Sequence, residues 1–137
     1  MIKTASWFTL LPLDHVRIGI SRSVPRRMSA GYRRYHRLNP GEWFKTVPLE
    51  EYRRRYQAEV LDRLDPLRVV AELHAMAEGA IPVLLCFERP EMGDWCHRGF
   101  VASWLAAATG KPVPELGYEH LPQNQHPLLP RRRGAMA

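Results

Sequence analysis

Between positions 86 and 98 the chain gathers Cys86, Glu88, Cys96, His97 and Arg98, the residue types that nucleophilic and acid–base chemistry draws on. The thiolate is the reactive form of cysteine, and a helix N-terminus with neighbouring cations favours it. Cys96, beside His97 and Arg98, is therefore the better nucleophile candidate. Arg98 offers a fixed cation to a phosphate or carboxylate near the first helical turn, where Trp95 also falls. Glu88 is two positions from Cys86 and would project to the same side of a continuing strand, which makes Glu88 and His97 candidate proton carriers. Plainer roles stand beside these. Cys86 could fill the core rather than line a site, Glu88 and Arg89 could be a solvated loop pair, and His97 could cap and pack.

No metal or other cofactor is expected. Cys86, Cys96 and His97 supply three ligands at most and lack the paired Cys-x-x-Cys spacing of structural zinc sites. Dinucleotide and nucleoside-triphosphate glycine motifs are missing, and the loop does not read as a tyrosine-phosphatase loop.

A second cluster is basic and aromatic. Arg22, Arg26, Arg27, Arg33, Arg34 and Arg37 alternate with Tyr32, Tyr35, His36 and Trp43. Guanidinium groups pair with phosphates and aromatic faces stack on bases, so a nucleic-acid-binding module is the main alternative to an enzyme. The same segment could be a solvated loop anchored by its aromatics. Alternatively, Arg22 or Arg26 could fold over the Cys96 site as part of a lid. Charge supports an acidic partner: the formal net charge is +6, and residues 1–55 carry 12 Lys/Arg against 4 Asp/Glu.

The elements that must position these residues follow from periodicity. Ile2–Trp7 and Val16–Ile20 read as short strands, and Ser21–Val47 as a long irregular connection. Pro48 opens a helix with Leu49, Tyr52, Tyr56, Val60 and Leu64 on one stripe. Asp65 caps a second helix, which ends at Gly79. Ile81–Phe87 is apolar without alternation, as in a central strand covered on both faces. Asp94 is the expected cap of a last helix carrying Phe100, Val101, Trp104 and Leu105. Val113–Tyr118 is a candidate edge strand, and residues 120–137 are expected to be a mobile tail rich in proline and arginine.

Together these elements imply one α/β domain over residues 1–119, with a small open, mostly parallel sheet flanked by helices in a Rossmann-like three-layer arrangement. In such sheets ligands sit beyond the carboxyl ends of strands, where Cys86–Arg98 falls. Trp7–Leu11 is cut by Pro12 and followed by Asp14, unlike a secretory signal, and Gly99–Gly110 is too short to cross a bilayer. A cytoplasmic protein with two reduced thiols and no membrane partner is expected.

The start Met1–Phe8, the Ile20–Pro25 turn, Gly31-Tyr32-Arg33, Leu84–Glu88 and Cys96-His97-Arg98 with Trp104-Leu105 together resemble domain-of-unknown-function family 488 (DUF488) over residues 1 to about 119. The resemblance implies a compact α/β fold and supports the position of the site; it carries no activity. An insertion around Met92-Gly93-Asp94 and the tail depart from the family pattern.

Three functions are weighed. The first is a small enzyme or ligand-binding domain acting on an anionic, phosphate-bearing or nucleotide substrate at Cys86–Arg98. The second is a nucleic-acid-binding module. The third is a thiol redox or sulfur-handling protein, which requires the Cα atoms of Cys86 and Cys96 to approach to about 6 Å.

Overall fold

The computed structural model describes residues 1–131. Four parallel strands, β1 (Lys3–Ser6), β2 (His15–Gly19), β3 (Arg33–Arg34) and β4 (Ile81–Cys86), form one sheet in the order β1-β4-β2-β3. The apolar run of β4 is explained by its central place: it pairs with β1 from Lys3↔Val83 to Ser6↔Cys86 and with β2 from His15↔Ile81 to Gly19↔Leu85. The expected α/β fold with a small parallel sheet is the one observed.

Alternation along β4 sorts the two faces. Leu84 joins Ile18 and Ile20 in the larger core, against α1 (Leu49–Glu59), α2 (Pro66–Ala77) and α3 (His97–Thr109). Val83 and Leu85 turn the other way, toward Ala5 and Trp7. That second face is covered by loop side chains such as Val24, Met28 and Tyr32 rather than by helices. The Trp7 indole packs closely against Gly19, where any Cβ would overlap it, and its Nε1 donates to Ser21 Oγ at 2.9 Å.

Proline and Asp65 set the helix starts. Pro48 precedes α1, and the Asp65 carboxylate accepts from Leu67 N at 3.0 Å ahead of α2, as its sequence position predicts. The segment 21–47 is more ordered than its composition suggests, holding β3 and two short 3-10 turns. Residues 113–118 form a single parallel bridge, Thr4↔Glu115, instead of a strand.

Residues 120–131, expected to be a tail, pack against the domain. His126 and Leu128 are buried, and Leu128 packs against both cysteines. Gly99 makes this approach feasible: a Cβ there would come within 2.7 Å of the Leu128 carbonyl group. The absence of periodicity hid the packing, because Leu128, the Cys96–Leu128 backbone bond and side-chain bonds from Gln123 to Val113 and from His126 to Thr4 hold the segment. Residues 132–137, including Arg132 and Arg133, lie outside the described residues.

Candidate functional site

The end of β4 and the start of α3 converge on one point. Cys86 is the last residue of β4, and Cys96 occupies the cap position of α3 with extended backbone angles. Asp94, the expected cap, is exposed and stands outside the helix. Cys96 takes that place because its N–H donates to the Leu128 carbonyl at 2.9 Å, which pins the chain where the helix begins.

The two sulfurs are bonded to each other, with Cα atoms 7.5 Å apart. This corrects the expectation of two reduced thiols: the convergence of strand end and helix start brings the sulfurs together. The Cα separation is wider than the approach of about 6 Å that a redox pair was expected to need.

His97 is buried, and its Nε2 donates to the Ile20 carbonyl at 2.9 Å. The other ring nitrogen, Nδ1, therefore carries a lone pair, and it lies 3.6 Å from Cys96 Sγ. Burial, aided by the Arg98 charge, lowers the His97 pKa to about 4, against the opposing effect of the Ile20 bond. The ring is neutral at pH 7.

Arg98, expected to face an anion, is fully buried and lies outside the cavity lining: Nε and Nη2 donate to the two carboxylate oxygens of Glu115 at 3.0 and 2.7 Å, and Nη1 donates to Cys86 Sγ at 2.9 Å. Thr4 Oγ1 donates to Glu115 Oε1 at 2.7 Å and meets His126 Nε2 at 2.7 Å. His126 Nδ1 accepts from Leu128 N at 3.1 Å. A closed polar cluster thus backs the sulfurs on one side.

The other side opens into a cavity of about 260 Å³. Cys86, Cys96 and His97 form its floor, and Phe44, Tyr52 and Trp95 its walls. Arg22, Lys45 and Glu88 bring charge to it. Arg22 donates to the Pro40 carbonyl at 3.0 Å and stands 5.9 Å from the Phe44 ring centre, with Lys45 at 5.3 Å from the same ring. Tyr52 and Trp95 meet edge to face at 4.7 Å. Burial, with the Glu88 charge nearby, raises the Tyr52 phenol above its usual pKa, so it stays a proton donor.

Cys86, Glu88, Trp95, Cys96, His97 and Arg22 therefore meet at one cavity, while Arg98 sits behind it and Arg26 is exposed outside its lining. Phe44, Lys45 and Tyr52 were missed. Tyr52 reads from its helical spacing as a core position, and no local signal marks it as a wall of a site.

The basic loop is largely committed to structure. Tyr35 is buried with its hydroxyl 2.6 Å from Glu72, and Tyr32 packs edge to face on Trp7. Arg34 donates to the carbonyls of Ser21 and Arg22; Arg33 and Arg37 lie near Glu78 and Glu72. Arg26 and Arg27 are exposed. No helix among the described residues is long and apolar enough to cross a membrane.

Residues 9–109 match the profile of a family described as the active DUF488-N3 subclade. No curated protein and no solved structure matches the chain. The matched stretch contains the cavity residues and Arg98, and leaves Thr4, Glu115 and His126 outside it.

Proposed function

The chain belongs to the DUF488 family, and we propose that it is a small enzyme that draws an anionic substrate into the cavity above Cys86 and Cys96 and acts on it with that pair reduced. The observation that supports this reading is the combination in one pocket of a sulfur floor, aromatic walls and two cations. Arg22 and Lys45, rather than the buried Arg98, bind the anion. Both reach the cavity, and neither has a carboxylate partner among the described ion pairs. Phe44, Tyr52 and Trp95 suit a substrate with a flat, unsaturated portion. A pocket of this size holds a small phosphate-bearing molecule or the end of a larger one.

Reduction sets each sulfur beside a fixed partner. Cys96 lies next to the Nδ1 lone pair of His97, and Cys86 next to an Arg98 N–H. Glu88 and the Tyr52 phenol supply an acceptor and a donor at the cavity. The description of the matched subclade as active favours a reaction over passive binding.

The oligonucleotide reading has less support, because Tyr32 and Tyr35 are engaged in packing and Arg34 in carbonyl contacts. A thermal-shift series in reductant, with inorganic phosphate, nucleoside monophosphates and short oligonucleotides, separates the two. Small anions should raise the melting temperature in the wild type, by about 2.7 kcal/mol of added stability at a hundredfold excess over Kd. That response should fall to about half or less in Arg22→Gln/Lys45→Gln at the same ligand concentration. A response confined to oligonucleotides and lost in Arg26→Gln/Arg27→Gln would overturn the reading.

A further inference from the structure

We infer that the reduced protein holds a thiophilic divalent cation, zinc by its chemistry, on Cys86 Sγ, Cys96 Sγ and His97 Nδ1, with the fourth coordination position open to the cavity. This deepens the proposed function and rests on it in one respect, that the working state of the pair is reduced.

Proximity is the first ground. The ligating atoms of Cys86, Cys96 and His97 all lie within 4.8 Å of one another, and all three residues are buried. Two thiolates and one imidazole around an open position form a donor set of catalytic zinc sites, whereas structural sites close all four positions. Linear spacing counted against a metal because the residues do not form a Cys-x-x-Cys pair; the fold, not the spacing, brings them together.

Orientation is the second ground, and it is independent of the first. A metal-bound histidine characteristically gives its other ring N–H to a backbone carbonyl or carboxylate, which fixes the tautomer and aims the free lone pair. His97 has this arrangement, with Nε2 on the Ile20 carbonyl and Nδ1 toward the sulfurs.

Backbone spacing and charge agree. Zinc–sulfur bonds of about 2.3 Å at a tetrahedral angle put two sulfurs roughly 3.8 Å apart. The Cα atoms are 7.5 Å apart, outside the usual disulfide range of about 4.4–6.8 Å, so the backbone suits sulfurs held at a distance. Arg98 is matched by Glu115, which leaves two thiolates to be neutralised by two positive charges. The Arg98 N–H on Cys86 then acts as a hydrogen bond to a bound thiolate.

The chemistry balances. A dithiol or phosphine reductant supplies two electrons, and with two protons the disulfide opens to two thiols. Binding of the cation then releases both protons to solvent. The open position faces the anion-binding walls, and Glu88 is the carboxylate lining the cavity among the described residues.

The test is a cobalt titration of the full chain, reduced with a phosphine and freed of oxygen. Cobalt should bind one to one, with thiolate-to-cobalt charge-transfer bands and the visible bands of a tetrahedral site, and zinc should displace it. The oxidised protein is a control that needs no mutation and should give no bands. Cys86→Ser, Cys96→Ser and His97→Ala should each weaken binding by tenfold or more, with far-ultraviolet circular dichroism checking that each variant is folded. A reduced, folded wild type without bands overturns the inference, as do bands that exceed one equivalent or are unchanged in His97→Ala. Phosphate and nucleotide thermal shifts on the metal-free reduced protein keep the two readings apart. An anion response without cobalt bands removes the metal alone, and cobalt bands without any anion response remove the proposed substrate class.

Discussion

Charge is handled in opposite ways on the two sides of the sulfur pair. Behind it, Arg98, Glu115, Thr4 and His126 form a buried cluster in which the guanidinium has a partner for Nε and both terminal nitrogens. In front of it, Arg22 and Lys45 reach a cavity with aromatic walls and have no carboxylate partner among the described ion pairs. Buried and paired charges hold a shape, since turning one of them toward a ligand leaves its partner buried and uncompensated. Wet, unpaired cations are free to meet an anion. Residue type alone does not separate these roles: Arg98 and Arg22 are both arginines near a cysteine.

The largest effect should come from breaking the rear cluster. Arg98→Met leaves Glu115 buried without its cation, at a cost of roughly 3–5 kcal/mol in urea unfolding. Arg98→Met/Glu115→Leu removes both charges and should recover part of that loss. A single variant that loses less than about 1 kcal/mol would mean that the rear side is wet and the contrast false.

Leu128→Ala probes the same side without touching a charge. Leu128 is fully buried against Cys86 and Cys96, so its truncation should cost about 2–5 kcal/mol. The anion response should survive at temperatures where the variant is folded. Loss of that response in a folded variant would show that residues 126–129 shape the cavity as well as brace it.

A pH series reaches the cluster through His126. Burial, opposed by Glu115 and aided by Arg98, lowers its pKa to about 4, below the value of about 6.5 expected when unfolded. Both states are neutral there above pH 6.5. As pH falls below that, the unfolded chain binds the proton first, so stability drops progressively down to about pH 4, by up to about 3 kcal/mol. His97 carries the same shift, so His126→Gln, which keeps an N–H for Thr4, should remove about half of the difference measured between pH 7 and pH 4. An unchanged slope would place the titrating group elsewhere.

Local signals found much of the frame. Asp65 before α2, the unbroken apolar run of β4 and the helical stripe of α1 are each written within a dozen residues, where period and capping chemistry operate. The strand-to-helix position of Cys86 and Cys96 was legible for the same reason. What failed was pairing across distance. Glu115 sits between Pro114 and Leu116 in a segment that reads as a poor strand, and nothing local assigns it to Arg98. The cap passed from Asp94 to Cys96 because a carbonyl thirty-two positions on, at Leu128, takes the Cys96 N–H. The tyrosines at 32 and 35 carried the composition of a base-stacking surface, and packing on Trp7 and the contact with Glu72 used them instead.

The smallest change in stability should come with the clearest change in binding. Arg22 and Lys45 contact Phe44 and, for Arg22, the Pro40 carbonyl, and both are exposed. Their joint replacement by glutamine should leave unfolding within about 0.5 kcal/mol for each site. Each cation that meets a phosphate in the cavity is worth on the order of 1 kcal/mol or more, so the double variant should bind inorganic phosphate or a nucleoside monophosphate at least tenfold more weakly. The front of the site would then lose its ligand while the rear keeps its fold, the reverse of Arg98→Met. If the double variant instead unfolds readily and a folded Arg98 variant loses anion binding first, the assignment of scaffold and contact is inverted, and the buried guanidinium must reach the ligand after all.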